Sequence, residues 1–157
     1  MTRPLFIFDI DGTLAVMDHA LPLLDNTDDP DRYRKFHEAC DRAKPNRSVV
    51  KVLETLKATG ADIWFFSGRS DVVLEKTITW LTRFTSFSYD DLTVDPILVL
   101  REEGDRTPDH RLKEQWYDAM LDIDKQRLVA VFEDRQRVVD MWRRIGVTCC
   151  QVAEGDF

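Results

Sequence analysis

Five short apolar runs, separated by segments of helical period, constrain this chain most. Leu5–Phe8, Asp62–Phe66, Pro96–Leu100, Leu128–Phe132 and Val147–Val152 have the length and composition of buried strands. Between them Val49, Val52, Leu53 and Leu56 share one helix face, as do Leu74, Ile78 and Leu81. The same spacing returns in Leu112, Trp116, Ala119 and Met120, and again in Val138, Trp142 and Ile145. Asp29-Pro30 and Thr107-Pro108 each set a capping side chain before a proline at an expected helix start, and Gly60 and Gly146 fall just past helix ends. Strands alternating with helices imply an α/β fold, a Rossmann-like parallel sheet with helices on both faces.

One stretch breaks the alternation. Residues 15–46 separate the first strand from the first regular crossover helix, beginning with a loop rich in Asp and Pro and continuing into DPDRYRKFHEACDRA. Tyr33, Phe36, His37 and Cys40 are expected to share a face of a helix there. The stretch is read as a small cap inserted beside the carboxyl end of the first strand, where open α/β sheets bind ligands. With 157 residues in all, residues 1–157 are expected to form a single domain carrying 15–46 as its cap.

The chemistry-bearing residues stand where the strands end. FIFDIDGTL closes an apolar run with Asp9 and Asp11, which point to the same side of a strand and repel unless a cation compensates. The second strand ends in FFSGRS, with Ser67, Gly68 and Arg69. REEGDRTPDHRLK follows the third and carries Asp109 and Lys113, and the fourth ends in VFEDR, with Glu133 and Asp134. The four clusters are expected at one sheet edge. Together they suit phosphoryl transfer through a carboxyl-phosphate. Asp9 attacks phosphorus, and Asp11 protonates the leaving oxygen and then deprotonates water. Ser67 and Lys113 hold the phosphoryl oxygens. A Mg2+ held by Asp9, Asp11 and Glu133 or Asp134 neutralises charge.

These motifs resemble the four motifs of the haloacid-dehalogenase-like (HAD) phosphatases. REEGDRTPDHRLKEQWY and VFEDRQRVVDMWRRIGVTCCQVAEGDF are similar, more narrowly, to the 3′-phosphatase domains of bacteriophage polynucleotide kinases. The resemblance implies an HAD-like fold and magnesium-dependent removal of a 3′-phosphate from a DNA or RNA end, or from a nucleotide. It implies roles for Asp9 as nucleophile and for Asp11 as acid–base, with the Asp11 backbone carbonyl touching the metal. It also marks Arg69, Asp109, Glu133 and Asp134 as important positions, with Arg69 and Asp109 expected to touch substrate. The family pattern carries Asp-Asp where Glu133-Asp134 stands here, and an arginine expected shortly after DxDGTLA is absent. Arg32, Lys35 or His37 from the cap are the candidates to replace it, and Arg32 and His37 are expected to touch substrate. The alternative reading is a phosphatase of free nucleotides or other small phosphomonoesters.

Composition narrows the partners. A net charge of −7 argues against broad non-specific nucleic-acid binding, though not against a small basic groove. No apolar run approaches bilayer length and the N-terminus enters a strand at once, so neither a membrane span nor a signal peptide is expected. The three cysteines, Cys40, Cys149 and Cys150, suit a reducing cytoplasm, with the adjacent pair expected as buried apolar side chains. No GxxxxGK[ST] loop occurs, so a phosphatase without kinase activity is expected, alone or beside a separate polynucleotide kinase or ligase.

Overall fold

The computed structural model describes residues 2–155; Met1 and Asp156-Phe157, the end of the GDF sequence included in the resemblance, lie outside the described residues. The strands are β1 (Leu5–Phe8), β2 (Ala15–Val16), β3 (Lys44–Pro45), β4 (Asp62–Ser70), β5 (Leu98–Arg101), β6 (Leu128–Arg135) and β7 (Cys149–Gly155). The helices are α1 (Pro22–Asp25), α2 (Arg32–Glu38), α3 (Arg47–Ala58), α4 (Leu74–Phe84), α5 (Tyr89–Leu92), α6 (Asp109–Ala119), α7 (Asp122–Arg127) and α8 (Gln136–Arg144). Five strands form one parallel sheet in the order β5-β4-β1-β6-β7, which makes β1 the centre and the point where strand order reverses.

Alternate side chains of each strand feed two separate cores. Phe8, Ile63 and Phe65 pack with Leu53, Ile78 and Leu81 of α3 and α4 on one face. Leu5, Ile7, Trp64 and Phe66 pack with Val138, Val139 and Trp142 of α8 on the other. Being buried on both faces, β1 reads as a continuous apolar run in the sequence.

Strand boundaries differ from the sequence reading in a consistent way. β4 and β6 run on past their apolar stretches into SGRS and EDR, because the polar residues at that edge satisfy one another. β5 starts at Leu98 instead of Pro96, since proline has no N–H for the ladder. β7 starts late because Gly146, at φ +85°, and the Val147 N–H, bonded to the Trp142 carbonyl at 2.9 Å, are used to end α8. The two expected caps are not formed: α2 and α6 begin after Asp31 and Pro108, and no side-chain cap bond is present at either. The Asp29 carboxylate instead accepts from the Asp31 N–H and from Lys35.

Residues 15–46 leave and rejoin the body side by side. β2 and β3 pair antiparallel, Ala15 opposite Pro45 and Val16 opposite Lys44, and the Asn46 N–H donates to the Leu14 carbonyl at 2.7 Å. Phe36 and Cys40 are buried, whereas Tyr33 turns outward at 58% exposure with the Arg32 guanidinium over its ring. Phe36 and Cys40 stay on one inner face although α2 ends at Glu38 and passes into a 3-10 turn over Ala39–Arg42, and the departure from the expected face is Tyr33 in the first turn of α2. Trp80 donates to the Ala43 carbonyl and Lys76 to that of Glu38, tying this stretch to α4. Of the cysteine pair, Cys149 is buried and Cys150 exposed, as period-2 alternation requires.

Candidate active site

β1 delivers Asp9 to the carboxyl edge of the sheet, where its N–H donates to the Phe132 carbonyl of β6 at 3.0 Å. The chain then turns. Gly12 adopts φ +87°, and a Cβ built there would stand 2.1 Å from Asp134 Oδ2. Only glycine lets the backbone approach the neighbouring strand's carboxylate so closely. Thr13, fully buried, donates to Asp134 Oδ1 at 3.3 Å.

Lys113 reaches in from α6 with its side chain 1% exposed, donating to Asp9 Oδ1 at 2.6 Å and to Glu133 Oε2 at 2.7 Å. Burial works against its charge, but the charges of Asp9 and Glu133 outweigh that and raise its pKa. The carboxylates outnumber it. Burial, then the charge of Glu133, pushes Asp9 up to about 7; burial pushes Glu133 up to about 7 and Asp134 up to about 6. One oxygen from each of these three residues lies within 4.8 Å of the others. Such a buried, hard-oxygen set with surplus negative charge fits a divalent cation. Glu133 is the most occupied member, since its Oε1 accepts from the backbone N–H groups of Asp134 and Arg135.

Asp11 stands apart from that cluster, gripped by Arg69: Nε lies 3.0 Å from each carboxylate oxygen and Nη2 2.6 Å from Oδ1. Arg69 is fully buried and donates a further bond to Thr77 at 3.2 Å. It therefore holds Asp11 from behind and presents no exposed guanidinium. Ser67, 1% exposed, accepts from the Arg69 N–H.

The other singled-out residues lie around these. Asp109 is flanked by Arg101 and Arg135, and although burial opposes it, the charges of Lys113, Arg135 and Arg101 hold its carboxyl below the usual range. His37, half-buried, lies within electrostatic reach of Asp11 and Arg69, and burial pushes its pKa down. Arg32 is not brought to the site: its guanidinium is spent on the Thr27 and Asp29 carbonyls of its own loop. Lys35 likewise pairs with Asp29. A hollow of about 590 Å³ opens at the opposite edge of the sheet between Lys57, Phe87, Pro96 and Arg127, and no site carboxylate lines it.

Sequence reasoning missed Thr13, Thr77 and Arg101. Arg101 alone left a signal, as the first polar residue after the third apolar run and so at the same edge as Ser67 and Glu133.

The fold and the residues at this edge define an HAD-like phosphatase, a hydrolase of phosphoric monoesters. Bacillus anthracis class C acid phosphatase with tungstate bound shares the fold, with a TM-score of 0.58 at 15% identity over 85% of this chain and 53% of its own. The chain belongs to the family described as the polynucleotide kinase PNKP phosphatase domain, which matches residues 4–157. Two structures of the Pnkp1/Rnl/Hen1 complex, one described as an RNA repair complex, give TM-scores of 0.75 and 0.74 at 30% and 28% identity. They cover 99% and 100% of this chain and 44% and 48% of the matched chains. A protein of Autographa californica nuclear polyhedrosis virus, named as a bifunctional polynucleotide kinase/RNA ligase, is 26% identical over 144 residues, 88% of this chain and 18% of its own. The chain thus spans less than half the length of these relatives. Among the described residues, no helix is long and apolar enough to cross a membrane.

Proposed function

We propose that this domain removes the 3′-phosphate from nucleic acid ends through a phosphorylated Asp9. The observation that carries the reading is the pairing of two carboxylates with two different partners on one turn. Asp9 shares Lys113 with Glu133, while Asp11 is held by Arg69. Neighbouring carboxylates in unlike surroundings suit unlike tasks. An Asp9 oxygen forms a bond to phosphorus as the bond to the 3′-oxygen breaks, and Asp11 gives that oxygen its proton. Water then attacks phosphorus, Asp11 takes its proton, and inorganic phosphate leaves Asp9. Ser67 and Lys113 steady the transferring oxygens. A magnesium ion held by Asp9, Asp134 and the Asp11 backbone carbonyl would supply charge neutralisation on the phosphoryl group. Glu133, fully engaged by Lys113 and two N–H groups, orients the lysine and would reach the ion only through water.

That division of labour has a direct test. Asp134→Asn, which removes a direct oxygen ligand, is expected to weaken magnesium binding, measured calorimetrically, clearly more than Glu133→Gln, which acts on the ion only through water and the lysine. The reverse ranking would make Glu133 the ligand.

The nucleic-acid substrate is supported by the family and by the repair-complex and kinase/ligase relatives. Phosphate release from a 3′-phosphorylated oligonucleotide, compared with nucleoside 3′- and 5′-monophosphates in magnesium and in EDTA, tests it. The oligonucleotide is expected to have the highest kcat/KM, with release abolished by EDTA. A preference for mononucleotides would make the protein a small-molecule phosphatase, and no release at all a silent module. A separate polynucleotide kinase or ligase is the partner this reading implies.

Lys35, Arg42 and Lys76 line a hollow of about 430 Å³ beside α2 together with Glu38 and Asp41, and a strand of nucleic acid lying there would draw on these three cations. Lys35→Ala combined with Arg42→Ala is expected to raise KM for the oligonucleotide several-fold. It should also flatten the logarithmic salt dependence by about 1–1.5, while hydrolysis of nitrophenyl phosphate stays unchanged. Unaltered salt dependence would show that these cations only solvate the surface.

A further inference from the structure

We propose that Arg101 is a positioning residue of this site, clasping the Ser67-Gly68-Arg69 loop to the start of α6 and thereby setting the distance between Ser67 and Lys113. The inference rests on the reading that those two residues steady the transferring phosphoryl group. Its observations are separate. The β4–β5 ladder pairs Ser67 with Leu100 and then Ser70 with Arg101, so Gly68 and Arg69 are passed over by regular pairing. In place of a ladder bond, the Gly68 carbonyl accepts from Arg101 Nε at 3.1 Å. The same guanidinium donates through Nη1 to the Thr107 carbonyl at 2.6 Å and the Asp105 carbonyl at 3.3 Å, and through Nη2 to Asp109 Oδ1 at 2.6 Å.

Each of these contacts reaches a different part of the site. Asp109 is the first residue of α6, and Lys113 follows one turn later on the same face. The loop and helix meet without slack, for a Cβ added at Gly68 would stand 2.3 Å from Asp109 Oδ1. Arg135 Nη1 holds the other oxygen, Oδ2, at 3.2 Å. With Arg101 only 15% exposed and Asp109 17%, these charge-assisted bonds are largely shielded from water. A planar fork with five donors can serve all four oxygens at once, and a lysine cannot. Arg101 itself bonds to none of Asp9, Asp11 and Lys113, so it acts through the segments it joins.

The test uses Arg101→Ala and Arg101→Lys. With nitrophenyl phosphate, kcat is expected to fall on the order of 10²-fold with KM changed little, because misplacement by about an ångström is felt mainly in the transition state. Lysine should restore little, whereas added guanidinium at millimolar concentration should partly rescue the alanine variant and ammonium should not. Independently of turnover, amide hydrogen exchange should accelerate at least tenfold over residues 67–70 and 105–113 and stay unchanged in β1 and β6. Retention of kcat within threefold, or unaltered exchange in those two segments, overturns the proposal. A general rise in exchange across the sheet also overturns it, by showing a purely structural role. Should the alanine variant fail to fold, Arg101→Lys carries the same measurements. If the unaltered protein hydrolyses no monoester, the functional reading fails while the exchange experiment still decides the role of Arg101.

Discussion

Replacing Asp9 with asparagine is expected to end turnover while leaving a folded protein that is, without metal, more stable than the parent. An amide oxygen cannot form the phosphoryl bond, so only contaminating activity should remain. The stability gain follows from crowding: Asp9, Glu133 and Asp134 are all buried, with Lys113 placed between the first two. Burial raises Asp9 from 3.8 to about 7, which means the folded state prefers the neutral acid. Such a group contributes fully below its unfolded pKa, and that contribution is lost as pH rises toward 7. The variant's advantage should therefore be absent near pH 4 and grow to its full size by pH 8. Each kcal/mol is read as about 2–4 °C in a chain of this size. Thermal melts in EDTA at several pH values measure it, and saturating magnesium should reverse the order by favouring the ionised parent. Substantial phosphate release by a preparation free of contaminants would remove Asp9 from the nucleophile's role.

Asp11→Asn is expected to damage both chemistry and fold. Loss of the proton shuttle costs on the order of 10²–10⁴-fold in kcat on an alkyl phosphate. Nitrophenyl phosphate, whose leaving group needs little protonation, should suffer far less in the first step. The second effect is structural. Arg69 is fully buried, and its three bonds to Asp11 form its only ion pair among the described residues. Stripping the charge from Asp11 leaves that guanidinium uncompensated, a loss on the order of 3 kcal/mol. A variant that melts like the parent would show that Arg69 finds another counter-charge. Equal losses on activated and unactivated esters, with phosphorylation of the enzyme rate-limiting, would argue against acid catalysis by Asp11.

The sequence made the central strand, the meeting of Asp9, Lys113, Glu133 and Asp134, and the place of Ser67 at the same edge legible for one physical reason. In a parallel sheet every strand ends at the same edge, so polar residues closing apolar runs must converge. What stayed hidden was which polar group faces which. Arg69 was expected to touch substrate, but it lies behind Asp11, because the break in the β4–β5 ladder turns it inward toward Thr77. Arg32 was expected at the mouth, but carbonyls five and three residues back capture it. Such captures depend on loop conformation, which periodicity does not encode. The adjacent cysteines were both expected to be buried, but strand alternation turns Cys150 outward while Cys149 stays inside.

The antiparallel pairing of Ala15-Val16 with Lys44-Pro45 has a consequence for how this protein can change. Because the two feet of the excursion are fastened beside the catalytic turn, the closure entropy of what lies between them is settled locally, and it grows only slowly with length. Within residues 17–43, Met17, Ala20, Phe36, Ala39 and Ala43 are pinned by the core they complete beside α4. The exposed positions between them are free to change length and charge over the same two feet, so new substrate preferences would arise on old chemistry without disturbing Gly12 or the carboxylates beneath it.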